Sequence, residues 1–588
     1  MSNATAPAGG ALSRWAPRLI TGLVLVWVLT AAAPAPVSDE FDIEEFASLP
    51  VVDLGRPKPL DTLARTSLVV ISNKQSVYID GDRVTADRDE KGEGRKAEAI
   101  EWLAGLMSDP ESARADRVIR IDHPDIKGIL GADIDRKYFS VGEIVEVGAD
   151  LNRQFELANA VPSDERNLYQ QRIMQLSQKM SIYFYLEDPS QMFLFPPADD
   201  DAEWGTVLEQ SQAARLDGTP AEEALRFTQA LVAWRDGDAA TFNDQVGAQH
   251  EAFAAAAPST MRKVRFEAMF NRAAPFVKAM TLYVIVGLLA FVFWLRPNRA
   301  ILATALGILL VGVLIHTAGI GSRIWIQGRP PVTNLYSSAL FVGWGTVLLG
   351  GWLERIHWNG IGAVTAGVTG FLTLLVAHNL AVGGDTMTMM QAVLDTNFWL
   401  ATHVIVITLG YSGTFLAGFL AIVMVLRGVF TKGLGRQDRR SLTSMIYGVI
   451  CFSTLFSFVG TILGGIWADQ SWGRFWGWDP KENGALMIVL WNALILHARW
   501  GGIAGQRGIA CLAIGGNVIT AWSWFGTNML GVGLHAYGGF IGSALWWMFA
   551  FVASQVLLIL FGATPFEKWR SVAAEREAAG VPTGPKAA

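Results

Sequence analysis

The residues with the clearest potential for chemistry lie in a tryptophan-rich segment, residues 467–482, which reads WADQSWGRFWGWDPKE. Its tryptophans are Trp467, Trp472, Trp476 and Trp478. Indole rings offer wide apolar faces that lose little rotamer entropy on binding, and interspersed glycines let the backbone approach a ligand closely. The segment therefore predicts a platform for a large planar apolar ligand. The alternative is an aromatic belt at the membrane surface, which explains one or two tryptophans better than four.

Charged residues accompany the tryptophans in this segment. Arg474 and Lys481 can pair with carboxylates at the edge of a planar ligand. Asp479 and Pro480 form a turn that begins the next helix, with Glu482 near the positive end of that helix. Proton transfer by Asp479 or Glu482 is the alternative to this capping role.

Two of the eight histidines, His403 and His535, lie near the same predicted membrane face as the tryptophans. Two neutral imidazoles on opposite faces of a planar macrocycle make an axial pair for its iron. A packed or capping histidine remains the alternative for each residue considered alone. Their shared location with the aromatic platform favours the interpretation as iron ligands.

His497 differs from this pair, because it lies fifteen residues after Glu482 in the same predicted helix. At 1.5 Å per residue it lies roughly 22 Å from the platform, in the inner half of the bilayer. It is either a histidine at the inner boundary or a transient haem ligand on an entry route. We expect packing or solvated roles for the remaining histidines, which are His123, His250, His316, His357 and His378.

The composition is that of a membrane protein. The chain has 588 residues, of which 51% are hydrophobic and 17% charged, whereas soluble domains average about 25% charged residues. The net charge of -6 argues against nucleic-acid binding. The two cysteines, Cys451 and Cys511, lie far apart in apolar runs and form neither a CxxC pair nor a CxxCH haem-attachment motif.

Long apolar runs predict an all-α polytopic membrane protein with about nine or ten transmembrane helices. The runs after the amino-terminal region are 276–295, 300–320, 334–353, 360–380, 398–426, 441–467, 483–500, 508–526 and 540–562. The predicted domains are an anchor helix or cleaved signal at 1–35, a soluble α-rich domain at 36–274, a linking helix at 275–299, the membrane core at 300–565 and a tail at 566–588.

Lysine and arginine in alternate short loops set the predicted orientation. Loops that contain, for example, Arg296, Arg427 and Arg499 are expected in the cytoplasm. The soluble domain and the tryptophan-rich segment then lie on the outer side of the membrane. Within the soluble domain, residues 96–106 and 166–185 predict helices, residues 76–78 a strand, and residues 54–62 an ordered turn docked against another part of the protein.

These motifs resemble the CcsA (ResC) family of cytochrome c biogenesis proteins, the haem-handling membrane proteins with a "WWD" domain. The family's tryptophan-rich signature is WGRFWGWDPKE at 472–482, and further motifs are WLATHVIVITLGY at 399–411, LHAR at 496–499 and NMLGVGLHAYG at 528–538. The resemblance spans about residues 300–562. The resemblance thus assigns the predicted aromatic platform to a specific family, whose planar ligand is haem.

The resemblance implies that His403 and His535 ligate the iron of haem b and that His497 is a transient ligand on its outward route. It further implies that Trp472, Trp476, Trp478, Asp479 and Arg474 contribute to the same site. The implied activity is that of a cytochrome c haem lyase (synthase) subunit, which presents haem to apocytochrome c CxxCH motifs. The implied partners are apocytochrome c, a ResB/CcsB-like membrane subunit, thiol-reducing thioredoxin-like proteins and membrane lipid.

This sequence departs from the fused members of the family, in which an amino-terminal ResB-like part supplies a second intramembrane histidine. The first apolar run here contains no histidine, so we expect a separate ResB-like subunit. Two other functions remain open at this point. One is a haem exporter or carrier without ligation activity, and the other is a small-solute transporter, for which the chain lacks the internal repeats that such proteins usually show.

Overall fold

The computed structural model of the chain describes residues 11–30, 40–81, 83–87, 94–163, 165–197, 203–218, 221–390, 392–535 and 543–579. The chain divides into two compact units. The amino-terminal unit comprises Ala31–Ala273 and Ala381–Met389, and the helical unit comprises Met1–Thr30, Ala274–Leu380 and Met390–Ala588. The short segment 381–389 therefore belongs with the amino-terminal unit, although its sequence neighbours belong to the helical unit.

Helices dominate both units. In chain order, α1 (Ala11–Thr30) belongs to the helical unit. The helices of the amino-terminal unit are α2 (Ile43–Ala47), α3 (Leu60–Ser72), α4 (Ala99–Ser108), α5 (Pro110–Ala113), α6 (Pro124–Ile129), α7 (Val141–Glu146), α8 (Gly148–Asn159), α9 (Leu168–Glu187), α10 (Val207–Asp217), α11 (Glu222–Asp236), α12 (Ala239–Ala256) and α13 (Pro258–Ala273). The remaining helices of the helical unit are α14 (Pro275–Leu295), α15 (Arg299–Gln327), α16 (Leu335–His357), α17 (Ile361–Leu380), α18 (Asn397–Trp399), α19 (Ile405–Phe430), α20 (Arg436–Trp472), α21 (Pro480–Trp500), α22 (Gln506–Ala521), α23 (Thr527–Met529), α24 (Ser543–Ala563) and α25 (Arg570–Ala578).

Seven helical stretches in the described part of the chain are long and apolar enough to cross a membrane. They are Pro258–Leu295, Arg299–Gln327, Ile361–Gly383, Asn397–Phe430, Arg436–Trp472, Gln506–Met529 and Leu545–Ala563. The predicted class, an all-α polytopic membrane protein, is confirmed. The predicted count of nine or ten is higher than seven, because α16 and α21 are long enough but contain serine, glycine, asparagine and tryptophan residues that lower their hydropathy.

Small residues let the membrane helices approach one another closely. A Cβ on Gly367 of α17 would lie 2.6 Å from the backbone nitrogen of Gly287 of α14, so the two backbones touch there. Hydrogen bonds join other helices, since the Asn492 amide donates to Thr414 Oγ1 at 3.2 Å and to Ser453 Oγ at 3.1 Å. In a membrane the hydrophobic effect does not drive helices together, because lipid tails are as apolar as the side chains. Close packing and interhelical hydrogen bonds hold the helices together instead. The bundle thus positions its cavity-lining side chains on rigid elements.

The amino-terminal unit adds two small sheets to its helices. In chain order the strands are β1 (Pro50–Asp53), β2 (Arg56–Pro59), β3 (Ser76–Asp80), β4 (Arg83–Thr85), β5 (Arg95–Glu98), β6 (Arg117–Arg120), β7 (Tyr138–Ser140), β8 (Phe193–Phe195) and β9 (Gly205–Thr206). One sheet has the order β2-β1-β8-β9 and the other β5-β3-β4-β6-β7. In the first sheet β1 and β2 form a hairpin in which Pro50 pairs with Pro59.

The predicted helix at 96–106 is wrong in its first turn. Residues Arg95–Glu98 form β5, which pairs antiparallel with β3, and α4 begins only at Ala99. Lysine, alanine and glutamate favour a helix locally, but pairing with a neighbouring strand overrides that preference. The other predicted helix lies at Leu168–Glu187, close to the expected 166–185.

The ordered turn predicted at residues 54–62 leads into a buried cluster of charges within the amino-terminal unit. Arg56 Nη1 and Nη2 donate to the two carboxylate oxygens of Glu267 at 2.8 and 2.9 Å. Arg56 Nη2 also donates to Asp385 Oδ2 at 2.9 Å. Lys58 Nζ lies 2.8 Å from the same Asp385 oxygen and 2.7 Å from Asp53 Oδ2. The segment against which this turn docks therefore includes 381–389.

Candidate functional site

A cavity of about 210 Å³ lies in the helical unit among α16, α19, α20, α21 and the tryptophan-rich segment. Its wall is mainly apolar and aromatic, with a few polar groups. The lining includes both histidines of the predicted pair and three of the four tryptophans, namely His403, His535, Trp467, Trp472 and Trp476. A mainly apolar cavity with a few converging polar groups is the usual form of a small-molecule site.

His403 lies in a π-helical turn, Leu400–Val404, between α18 and α19. Such turns are rare and often occur at functional sites. The His403 Nδ1 donates to the backbone carbonyl of Gly460 at 2.8 Å, because a carbonyl oxygen can only accept. A Cβ on Gly464 would lie 2.6 Å from His403 Cε1, so this glycine makes room for the imidazole. The contact with Gly460 leaves Nε2 available for a ligand.

His535 lies in the loop that follows α23. The edge of its ring meets Trp472, with ring centroids 5.0 Å apart and planes at 83°. Its Nδ1 lies 3.2 Å from Asp479 Oδ1, although the N–H does not point directly at that oxygen. Burial lowers the pKa of His535, and the nearby Asp479 carboxylate opposes this shift only in part. The neutral imidazole, which is the form that binds a metal, is therefore favoured.

Asp479 connects the start of α21 to the loop that carries His535. Its Oδ1 accepts from the backbone N–H of Lys481 at 2.9 Å and so caps the helix. Its Oδ2 accepts from the backbone N–H of Leu534 at 2.7 Å. Gly533 has φ +92°, and a Cβ there would lie 2.2 Å from Asp479 Oδ2. The side chain is only 5% exposed, so the capping role expected from the sequence is present together with a second contact to the loop.

The tryptophans do not all face the cavity. Trp467, Trp472 and Trp476 line it, whereas Trp478 does not and is 70% exposed. Trp478 has φ +57°, a conformation rare for a bulky residue, and it meets Trp476 edge-on with ring centroids 6.1 Å apart. The structure thus brings together three indoles of the predicted platform and directs the fourth outward.

The two cations of the segment are placed differently. Arg474 Nη1 lies 3.4 Å from Glu482 Oε1, and the guanidinium lies 5.9 Å from the Trp472 ring. Arg474 does not line the cavity. Lys481 does line it, and its Nζ donates to the backbone carbonyl of Trp524 at 2.8 Å. Of the two candidates for pairing with a ligand carboxylate, Lys481 is therefore the one at the cavity wall.

His497 is not part of this cavity. It lies in the last turn of α21, is exposed, and donates from Nδ1 to the Ala493 carbonyl within its own helix at 2.8 Å. His316 is fully buried, with Nδ1 3.1 Å from the Tyr283 hydroxyl, which agrees with the packing role expected for it. The structure thus separates His497 from His403 and His535.

Sequence reasoning did not identify several residues of the wall. Asn334 precedes α16 and caps it, and Tyr411, Trp524, Met390 and Leu394 come from other segments. Tyr411 is linked by its hydroxyl to Ser523 Oγ at 2.6 Å. Tyr411 lies within the family-like motif at 399–411, and that motif is the only signal in the sequence that points to any of these residues.

The residues present fit a planar macrocycle that carries iron. The lining provides three indoles and two imidazoles. Nδ1 of His403 bonds to the Gly460 carbonyl, and Nδ1 of His535 lies 3.2 Å from Asp479 Oδ1. The buried Trp467 Nε1 has no hydrogen-bond partner among the described residues, so a donor remains for a ligand. The described residues contain no group of three or more His, Cys, Asp or Glu that could hold a metal ion directly. Iron ligated by four macrocycle nitrogens and two imidazoles needs no such group.

The fold and this cavity define a multi-pass helical membrane protein with a ligand site built from tryptophans and histidines. Residues 332–535 match the family model described as cytochrome C assembly protein. The chain is 30% identical over 290 residues to the cytochrome c biogenesis protein CcsA of Parasynechococcus marenigrum, a match that covers 43% of this chain and 92% of that relative. The chain therefore belongs to the cytochrome c assembly family, as a protein of the CcsA type, which confirms the resemblance found in its motifs.

Two further relatives extend this comparison. The CcsA protein of Prochlorococcus marinus (strain MIT 9303) is 28% identical over 283 residues, covering 42% of this chain and 88% of that relative. Protein NrfI of Wolinella succinogenes is 27% identical over 516 residues, which is 82% of this chain and 53% of NrfI. The chain thus spans about half the length of NrfI, and the match to NrfI reaches well beyond the part of the chain that CcsA covers.

Proposed function

We propose that this protein binds haem b in the cavity of its helical unit and presents it for covalent attachment to apocytochrome c. The observation that carries the proposal is that His403 and His535 line one cavity together with Trp467, Trp472 and Trp476. Imidazole nitrogen is an axial ligand of haem iron, and indoles supply apolar area for the macrocycle. Membership of the cytochrome c assembly family supports cytochrome c as the product.

The contribution of the chain is mainly positioning. His403 and His535 hold the iron through Nε2, because their Nδ1 atoms face Gly460 and Asp479. The tryptophans fix the plane of the ring and exclude water from it. When the CxxCH segment of the apocytochrome binds, each cysteine S–H adds across a vinyl C=C, with sulfur on one carbon and the proton on the other. Holding both reactants in place makes this addition effectively unimolecular.

The proposed setting is a bacterial inner membrane, with the cavity on the extracytoplasmic side. The support is the order of loops along the chain. Cationic loops follow α14, α16, α19 and α21, whereas the tryptophan-rich segment joins α20 to α21, so alternation of the helices places it at the other membrane face. We further propose a ResB/CcsB-like subunit as partner and thioredoxin-like proteins that keep the CxxCH thiols reduced. His497, which lies outside the cavity, is proposed as a transient ligand on the route from the inner side.

The ligand assignment is tested by the absorption spectrum of the purified full-length protein. We expect a low-spin haem spectrum in the wild type and its loss in the double variant His403→Ala, His535→Ala. The matched control is His378→Ala, because His378 is exposed at the end of α17 and does not line the cavity. An unchanged low-spin spectrum in the double variant would refute the proposed ligands.

The activity is tested by expression with a CxxCH reporter apocytochrome, with and without a ResB-like partner. Covalent haem that survives denaturation supports the synthase function. Haem that is bound to the purified protein, but never attached to the reporter in either setting, identifies a carrier or exporter without ligation activity instead. The partner requirement is read from the difference between the two expressions.

The role of the tryptophans is tested by a matched pair in the same segment. Trp472 lines the cavity and meets His535, whereas Trp478 is largely exposed. We expect Trp472→Ala to lower haem affinity by at least about fivefold, since one edge-on ring contributes about 1 kcal/mol beyond its buried area. Trp478→Ala should have a much smaller effect. Equal losses of haem binding in the two variants would favour a platform of four indoles over one of three with Trp478 directed outward.

A further inference from the structure

The two histidines of the proposed haem site have different partners. His403 Nδ1 donates to a neutral backbone carbonyl, that of Gly460. His535 Nδ1 faces a carboxylate, that of Asp479, at 3.2 Å. Asp479 is buried and is held in place by two backbone N–H groups, those of Lys481 and Leu534. The carboxylate is therefore fixed relative to both the helix start and the loop that carries the imidazole.

A carboxylate behind a ligating imidazole changes the metal bond. When a ligating histidine directs its second N–H to a carboxylate, the ring is oriented and the ligating nitrogen becomes more basic. A backbone carbonyl orients the ring but carries no net charge, so its effect on basicity is smaller. A more basic nitrogen binds iron more firmly, and it favours the ferric over the ferrous state because the ferric ion has the greater charge.

We propose that Asp479 is a positioning residue that makes His535 the retained axial ligand, so that His403 is the ligand released when the apocytochrome histidine arrives. This inference rests on the proposed function. The exchange replaces one imidazole by another at the iron and involves no change of oxidation state. A rotation of the His535 ring is enough to point its N–H at Asp479 Oδ1, since the two atoms are already at hydrogen-bonding distance.

The supporting geometry lies in the loop as well as in the side chains. Gly533 approaches Asp479 so closely that any Cβ would overlap its Oδ2. The Leu534 N–H then donates to that oxygen, which places the next residue, His535, beside the other carboxylate oxygen. Asp479 thus holds the loop through the Leu534 N–H and places its other carboxylate oxygen within 3.2 Å of the His535 ring. Among the described residues, the hydrogen-bond partner of His403 Nδ1 is a backbone carbonyl, that of Gly460.

The first experiment measures the haem reduction midpoint potential of the full-length, haem-loaded protein in Asp479→Asn. Asparagine is also a good helix cap, so α21 can still begin at this position. We expect a higher potential than in the wild type, because the ferric form loses its carboxylate. The control is Asp469→Asn, the same chemical change on an exposed side chain of the same segment, and it should leave the potential unchanged. An unchanged potential in Asp479→Asn, or an equal rise in both variants, would overturn the proposal.

The second experiment does not depend on the folding of an Asp479 variant. Carbon monoxide is added to the reduced wild type and to the single variants His403→Gly and His535→Gly, and resonance Raman spectra of the iron–CO unit are compared. If His403 is the released ligand, the wild-type spectrum matches His403→Gly, in which CO lies opposite His535. A match to His535→Gly would refute the inference. If neither histidine affects the spectrum, the proposed function fails as well, so the two failures are distinguishable.

Discussion

The buried charge cluster of the amino-terminal unit makes Asp385→Asn an informative perturbation. Asp385 accepts two hydrogen bonds from Arg56, one from its own segment at the Met387 N–H, and an ion pair from Lys58. Its carboxylate is 4% exposed. Replacing the carboxylate by an amide keeps the shape and removes one negative charge from beside two buried cations. We expect the segment 381–389 to lose much of its attachment within the unit.

The magnitude follows from the pKa of Asp385. Burial raises this pKa, but Arg56 and Lys58 outweigh the effect and lower it from 3.8 to about 2. A shift of about two pKa units corresponds to roughly 2.5 kcal/mol, and removal of one partner from a buried ion pair costs about 3–5 kcal/mol. Arg56 keeps Glu267 and Lys58 keeps Asp53, so we expect the lower end, about 3 kcal/mol.

Hydrogen exchange by mass spectrometry on the full-length protein in detergent measures this effect locally. A loss of about 3 kcal/mol in local opening predicts roughly 100-fold faster exchange in peptides that cover 381–389. Asp395→Asn is the matched control, because Asp395 pairs with Arg329 and is 30% exposed, and surface pairs contribute only about 0–1 kcal/mol. If exchange of 381–389 is unchanged, or changes no more than with the control, the cluster does not hold this segment.

The lowered pKa of Asp385 also predicts how the free energy of unfolding changes with pH, including its direction. Because the pKa is lower in the folded state than the value of about 3.9 in an unfolded chain, the contribution is present at pH values above about 4. It is lost as the pH falls from about 4 to 2. Thermal unfolding of the full-length protein should therefore lose less stability over this acid range in Asp385→Asn than in the wild type. Parallel pH profiles for the two proteins would refute the assignment.

Three further predictions concern other positions. Gly464→Ala should abolish the low-spin haem spectrum without preventing membrane insertion, because its Cβ would lie 2.6 Å from His403 Cε1. The control Gly448→Ala should retain the low-spin spectrum, because a Cβ there has nothing within 4 Å. Asp116→Asn should stabilise the protein at pH 8 by about 2–4 kcal/mol in urea unfolding. Burial raises the pKa of Asp116 to about 7, so this residue makes the wild type less stable as the pH rises from about 4 to 7. The variant should lack this contribution. Trp467→Phe should lower haem affinity measurably in titration with little change in thermal stability, because the buried Nε1 has no hydrogen-bond partner among the residues that the structure describes.

Much of the cavity lining is predictable from the sequence, because the residues with potential chemistry are concentrated in short segments. Four tryptophans within twelve positions mark the platform, and charge-free apolar runs mark the helices around it. Both the spacing of the tryptophans and the family resemblance place Trp478 in the predicted platform. Its outward placement depends on a positive φ at that residue, and a backbone conformation that a bulky side chain rarely adopts is not visible in the sequence.

The amino-terminal unit was predicted less completely, because its short strands pair over long distances. Arg95–Glu98 has a helix-like composition but becomes a strand through pairing with Ser76–Asp80. Likewise, the docked turn around Arg56 was recognisable, but not its partner, since Asp385 lies 329 positions away. Contacts of this kind depend on the folded topology rather than on local preference, so a pattern of neighbouring residues carries no signal for them.

The two histidines illustrate how far local sequence can specify a candidate metal site. As residues of one type at one membrane level they are equivalent, and the sequence supports an axial pair without ranking its members. Which of the two imidazoles would be the stronger ligand depends on the group that its Nδ1 faces. The group that faces His403 is the backbone carbonyl of Gly460, whereas only an acidic side chain at 479 supplies a carboxylate to His535. The same carboxylate caps α21 and binds the loop through Leu534, so the helix start, the loop and the surroundings of the His535 ring depend on a single side chain.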